Sequence, residues 1–142
     1  MKLRLNAGKP LTRAAKNALI RSAREVRLRS YSPYSNYKVG AAMLAASGEI
    51  YTGANFENAA YGAGTCAERV ALGAALSAGE REFIAICICG ADNTISPCGI
   101  CRQALREFGD ISVISAGAEG NAFRETTLGA LLPDSFGPES LK

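Results

Sequence analysis

Histidine is absent from all 142 residues. Neither imidazole proton transfer nor a histidine metal ligand is open to this chain, and such chemistry falls to cysteine and carboxylate side chains. No apolar run reaches the roughly 18 residues of a membrane span, and no leader-like apolar region with a cleavage site is found, so the cytoplasm is the expected compartment. Internal repeats and low-complexity stretches are also missing. Acids are scarce at one end: residues 1–38 carry ten Lys and Arg against Glu25 alone, a charge of +9, while the remainder carries −6 and the whole chain +3. Such a basic segment can signal nucleic-acid binding. Here Arg13, Lys16, Arg24 and Arg27 recur near helical spacing opposite Leu11, Ala15, Ala18, Leu19 and Val26, as on a solvated helix face. No aromatic residues interleave with the charge to stack on bases, so nucleic acid is not the expected partner.

The length, with 48% hydrophobic and 20% charged residues, suits a single soluble domain, residues 1–142, whose core needs no disulfide. Residues 1–10 read as a flexible arm. Thr12 is placed to cap a helix running to about Arg29, stopped by Ser30-Tyr31-Ser32-Pro33. Val39–Ala46 and Ile50–Ala54, separated by Ser47-Gly48-Glu49, read as a β-hairpin. Residues 56–65 form a small-residue loop. A helix then runs from Cys66 to Ala78, and a continuous apolar strand from Phe83 to Cys89, as for a strand covered on both sides. A second helix is expected from Cys98 to Phe108, then strands at Ile111–Ser115 and Phe123–Thr126 and a short helix. The order β-β-α-β-α-β argues an α/β sheet layered by helices.

Two stretches concentrate the reactive side chains: Cys66-Ala67-Glu68 and Pro97-Cys98-Gly99-Ile100-Cys101. Three cysteines fit one zinc ion bound as thiolates, with a fourth position left open as in catalytic sites. Each stretch opens a helix, where N–H groups and the dipole favour thiolate. Glu68, two residues after the first ligand, is placed to move protons for a water activated by the metal. The sulfurs carry more negative charge than zinc offsets, so a cation beside them is useful; Arg69 is the candidate and Arg102 its competitor. The other two cysteines, Cys87 and Cys89, alternate in an apolar run and read as sheet-face filler.

These stretches, with Tyr34-Ser35-Asn36-Tyr37-Lys38-Val39-Gly40-Ala41-Ala42, Asn55-Phe56-Glu57-Asn58-Ala59-Ala60-Tyr61, the continuations Arg69 and Arg102-Gln103, and Leu131-Leu132-Pro133-Asp134-Ser135-Phe136-Gly137-Pro138, resemble in order the motifs of the cytidine deaminase family, specifically its small homotetrameric zinc-dependent branch. The Cys-x-Glu and Pro-Cys-x-x-Cys elements match the zinc deaminase signature with cysteine in the histidine position. The resemblance implies a three-layer α/β/α sandwich with a mixed five-stranded sheet, one zinc per chain, and hydrolysis of cytidine and deoxycytidine to uridine and deoxyuridine with release of ammonia, in pyrimidine salvage. It implies ribose contacts from Asn55 and Glu57, and aromatic faces from Tyr37 and Phe136 beside the base or sugar. The Ala67 backbone and Ser96 would read the pyrimidine edge, and Tyr61 would line the site. Residues 133–142 would reach a neighbouring subunit's pocket in a homotetramer. Two other readings stand beside this one. A deaminase of a cytosine-containing antibiotic such as blasticidin S shares the metal motifs, although Asn55-Phe56-Glu57-Asn58 favours ordinary ribose. A zinc-stabilised RNA-binding module needs a fourth protein ligand that the sequence does not supply.

Overall fold

The structure, a computed structural model, describes residues 2–5 and 9–142. Helix α1 (Arg13–Arg27) starts where Thr12 Oγ accepts the Ala15 N–H at 3.1 Å, so the expected cap forms. It ends two residues earlier than the periodicity suggests, because Leu28, Arg29 and Ser30 donate to carbonyls three residues back, a tightened last turn. Strands β1 (Gly40–Ala45) and β2 (Ile50–Ala54) form the hairpin. Helix α2 (Ala67–Ser77), strand β3 (Phe83–Cys89), helix α3 (Gly99–Arg106), strands β4 (Ser112–Ala116) and β5 (Phe123–Thr127), and the short helix α4 (Leu128–Leu131) follow. Each lies within about two residues of its expected bounds.

The sheet has five strands in the order β2-β1-β3-β4-β5. β3 and β4 run parallel while the other neighbours are antiparallel, giving the mixed sheet. Alternation along β1 and β3 divides the core. Ala42, Leu44, Ala85, Cys87 and Cys89 meet Leu19, Ile20 and Ala23 of α1, whereas Ala41, Met43, Ile86 and Ile88 meet Ala67, Ala71, Leu72, Ala75 and Leu105 of α2 and α3. Both faces of the central strands are thus covered, which is why their sequences are apolar without a break. Cys87 and Cys89 fill the α1 side, as expected of cysteines without ligand neighbours.

Gly53 sets how close α2 lies to the sheet. A Cβ there would stand 2.4 Å from the Ala71 nitrogen and 2.8 Å from the Ala67 oxygen. Only glycine lets the first turns of α2 approach β2 this closely.

The basic face of α1 braces the α1 layer. Arg24 donates to Gly117 O at 2.8 Å and Gly120 O at 2.6 Å, and Arg27 to Lys38 O at 3.0 Å. Lys16 pairs with Glu125, and Arg13 lies over the Phe123 ring. Of the arm expected at residues 1–10, residues 1 and 6–8 lie outside the described residues. The described part corrects that expectation: Leu3 donates to Gly48 O at 2.7 Å and Lys2 bridges Glu49, while Leu3 and Leu5 pack on the α1-side core. Apolar burial and a backbone bond hold residues 2–5 to the hairpin turn. Among the described residues, no helix is long and apolar enough to cross a membrane.

The C-terminal segment runs over α3 rather than away from the domain. Arg102 donates to Leu131 O, Gln103 to Phe136 O, and Arg106 to Ser135 Oγ and Glu139. Successive turns of the helix that carries Cys98 and Cys101 therefore hold residues 131–139.

Candidate active site

Cys66 and Cys98 are the N-cap residues of α2 and α3. Neither thiol caps its helix; the backbone carbonyls accept instead, from Val70 N at 3.2 Å and Arg102 N at 2.9 Å. Both sulfurs are thus left for a ligand. The two caps and Cys101, in the first turn of α3, bring three Sγ atoms within 4.8 Å of one another, with Cys66 and Cys98 at 3.8 Å. Tetrahedral zinc with Zn–S bonds of about 2.3 Å separates its sulfurs by about 3.8 Å. A disulfide would need about 2.05 Å, so the arrangement fits the metal.

The charge around the sulfurs fits it too. Burial pushes the Cys66 thiol up, partly offset by Arg69, and burial with the Glu68 charge pushes Cys101 up. Burial acts the same way on Cys98, but hydrogen bonds from the Cys101 N–H, the Cys101 and Cys66 thiols and the Ile100 N–H together outweigh it and hold this thiol below its ordinary value. Arg69 Nη2 stands 3.9 Å from Cys66 Sγ, and hydrogen bonding with Cys101 and Cys66 raises its pKa. Its Nε is buried without a partner among the described residues, in a cation oriented toward sulfur rather than water. Arg102, the competing candidate, donates to Pro97 O, Leu131 O and Ser96 Oγ and braces the entry to α3.

Glu68 occupies the first turn of α2 and is 5% exposed. Burial raises its carboxyl pKa, against the opposing pull of its own N–H, Arg69 and Cys101. A buried carboxyl beside Cys101 that retains its proton more readily than usual is chemically suited to carry protons.

A hollow of about 560 Å³ opens beside Cys66 and Arg69, within the range of small-molecule sites. Asn55, Glu57 and Tyr61, named from sequence for substrate contact, line it; Tyr34, Ser35, Phe56, Asn58 and Thr65, given no role from sequence, line it too. All but Thr65 lie in the motif stretches, but one sequence does not say which motif residues face a ligand. Tyr34 and Tyr61 meet edge-to-face with centroids 6.1 Å apart. Tyr37, Ser96 and Phe136 do not line the hollow. Tyr37 is half exposed with its hydroxyl against Gly90. Ser96 is held by Arg102, and Phe136 is 59% exposed beside α3. Ala67, the first residue of α2, is fully buried.

Asn55 and Glu57 are already engaged with the chain. Asn55 Oδ1 accepts from Ser30 Oγ at 2.5 Å and Val39 N at 2.9 Å, and its Nδ2 donates to Tyr37 O at 2.9 Å. Glu57 Oε1 accepts from the Tyr34 and Ser35 N–H groups at 3.0 and 3.1 Å, and Oε2 from the Ser35 hydroxyl. The Ser35 hydroxyl and N–H, with the Tyr34 N–H, hold this carboxyl below its ordinary value. With two acceptor sites per oxygen and two amide N–H groups, this leaves, among the described residues, one donor of Asn55 and one acceptor site of Glu57 Oε2 without a partner.

Residues 13–117 match the family described as the cytidine and deoxycytidylate deaminase zinc-binding region. A cytidine deaminase of Sporosarcina psychrophila is 43% identical over 126 residues, covering 87% of this chain and 92% of that protein. One of Halalkalibacterium halodurans is 40% identical over 126 residues, covering 87% and 95%. The crystal structure of cytidine deaminase from Burkholderia pseudomallei superposes with a TM-score of 0.80 at 44% identity, covering 89% of this chain and all of that one.

Proposed function

The chain belongs to the cytidine and deoxycytidylate deaminase family, and from that premise we propose that it is a zinc-dependent cytidine deaminase: it hydrolyses cytidine and deoxycytidine to uridine and deoxyuridine, releasing ammonia in pyrimidine salvage. The observation that carries this reading is the set of three sulfurs at zinc spacing beside the buried carboxyl of Glu68.

Cys66, Cys98 and Cys101 hold the metal, which when bound supplies a water of lowered pKa. Arg69 offsets the thiolate charge. Glu68 takes one proton from the attacking water and delivers it to the pyrimidine N3, then takes the second from the hydroxyl now on C4 and delivers it to the leaving amino nitrogen. The C4–O bond forms, the C4–N bond breaks and ammonia departs. Burial of Glu68 keeps bulk water from competing for these protons.

Sugar recognition rests on Asn55 and Glu57. One remaining donor and one remaining acceptor satisfy a single hydroxyl in both of its roles. Cytidine and deoxycytidine share such a hydroxyl, which supports use of both nucleosides. Tyr61 lines the sugar side, Tyr37 presents an aromatic face, and the Ala67 backbone with Ser96 reads the base edge.

A homotetramer with one domain per chain completes the site, Phe136 entering from a neighbour. Support comes from exposed apolar side chains around the hollow: Tyr34, Phe56 and Tyr61 on its lining, the last 83% exposed, with Ile100 and Phe136 on and beside α3. Apolar exposure of this kind marks an interaction surface.

Ultraviolet absorbance of the zinc-loaded protein with cytidine, deoxycytidine, cytosine, blasticidin S and a short single-stranded oligonucleotide tests the reading, with light scattering for oligomeric state. Turnover of the two nucleosides alone, by a tetramer with about one zinc per chain, is expected. A zinc-loaded protein inert toward both nucleosides would overturn it.

A further inference from the structure

Residues 30–39 have no regular helix or strand of their own and bring Tyr34 and Ser35 to the lining of the hollow, held by hydrogen bonds at several points. Asn36 adopts a left-handed φ of 56° and donates to Ser32 O at 2.9 Å, which fixes the bend carrying Ser35. The Ser35 hydroxyl donates to Glu57 Oε2 and accepts from the Tyr37 N–H at 3.0 Å. At its other end the Tyr37 peptide unit is gripped by Asn55, whose Nδ2 donates to Tyr37 O. The two side chains read as sugar ligands therefore hold the backbone of Tyr37 from both sides, one directly and one through Ser35.

We propose that Ser35 is a positioning residue for nucleoside binding: its hydroxyl orients the Glu57 carboxylate and couples it to Tyr37, setting substrate affinity without a part in proton transfer. The proposal rests on the reading of Glu57 as a sugar ligand. Ser35 supplies two of the three hydrogen bonds that the described residues make to that carboxylate, and the only one of them to Oε2. Oε2 is also the oxygen with an acceptor site to spare. Without the hydroxyl, the carboxylate is held through Oε1 alone and the orientation of its free lone pair is lost. Ser35 is exposed, so its hydroxyl can be removed without opening a core cavity. Glu68 and the cysteines lie on other elements and keep their contacts.

The test is steady-state kinetics of the zinc-loaded enzyme with cytidine and deoxycytidine, together with inhibition by the product uridine. A hydrogen bond to a charged group contributes enough for Ser35→Ala to raise KM roughly 10- to 100-fold. The uridine inhibition constant should rise in parallel, while kcat stays within about twofold. Zinc content should match the parent, and Tm should fall only slightly, because the hydroxyl removed is exposed. Ser35→Thr keeps the hydroxyl and should bring KM back to within a few-fold. In a Glu57→Gln background the effect of Ser35→Ala should largely vanish, because the two groups act as one unit. A merely structural role would show as a large fall in Tm and would persist in that background. Unchanged KM and uridine inhibition, a fall in kcat without change in KM, or an undiminished effect beside Glu57→Gln would overturn the proposal. Failure of the zinc-loaded parent to turn over either nucleoside would instead remove the reading beneath it, and the proposal with it.

Discussion

Replacing Gly53 with alanine tests whether sheet packing sets the catalytic geometry. The added Cβ would stand 2.4 Å from the Ala71 nitrogen, against the 3.4 Å at which ordinary contact begins. The obstacle is helix backbone, which cannot rotate aside, so α2 must withdraw by about 1 Å or β2 must bend. Cys66 and Glu68, at the start of α2, would move with it, while Cys98 and Cys101 stay on α3. A shift of this size changes the sulfur spacing and misplaces the carboxyl, for which a loss of about 10²-fold in kcat is expected. Overpacking should also cost about 1–3 kcal/mol of stability. Absorbance kinetics with cytidine, zinc content and thermal unfolding measure all three. Gly73→Ala is the control, since nothing lies within 4 Å of a Cβ in that exposed position of the same helix. It should stabilise by about 0.5–1 kcal/mol and leave kcat alone. A Gly53→Ala protein with normal kcat and Tm would refute the idea that close approach of α2 to β2 positions the site.

Removing one sulfur by Cys98→Ala should release zinc and activity together, because the remaining pair cannot form the three-ligand site; stoichiometric zinc in a folded variant would mean a different ligand set. Cys87 and Cys89 should resist thiol reagents in the folded protein and react only on unfolding, since both are fully buried and burial pushes Cys87 up to about 12. Quantitative labelling of either at neutral pH without loss of structure would contradict the packing. The Glu57 carboxyl, lowered first by the Ser35 hydroxyl, contributes stability that is present above its unfolded pKa near 4.5 and lost as pH falls through the lower folded value. Acid unfolding of Glu57→Gln should therefore be less steep than that of the parent, and identical curves would count against a stabilising role for the Ser35 and Tyr34 hydrogen bonds to Glu57.

Elements with a strong local cause are legible in the sequence. Thr12 ahead of an amphipathic run specifies α1, and the unbroken apolar run of β3 specifies a strand covered on both faces. The metal cluster is legible because three cysteines and a glutamate at that spacing, in a chain without histidine, suit a catalytic zinc and little else. Residues 2–5 read locally as a free arm, yet they are tied to Gly48 and Glu49, more than forty residues away, and no local pattern reports such a contact. Gly53 looks like any strand glycine until α2 is placed against it. The anchoring of Asn55 and Glu57 within the chain is likewise hidden, because their partners Ser30, Tyr34, Ser35 and Tyr37 come from a separate loop whose folding back is a tertiary event.

In the proposed chemistry three thiolates hold zinc while Glu68, which is not a ligand, carries the protons. Zinc stoichiometry and single-turnover deamination of cytidine by Glu68→Gln test it on one sample. The amide is nearly isosteric with the buried carboxyl but cannot take up and release the proton. About one zinc per chain, unchanged Tm and a rate lowered roughly 10²- to 10⁴-fold are predicted. A zinc-loaded Glu68→Gln protein turning over cytidine at the parent rate would remove Glu68 from the chemistry, and loss of zinc from that variant would make it a ligand instead.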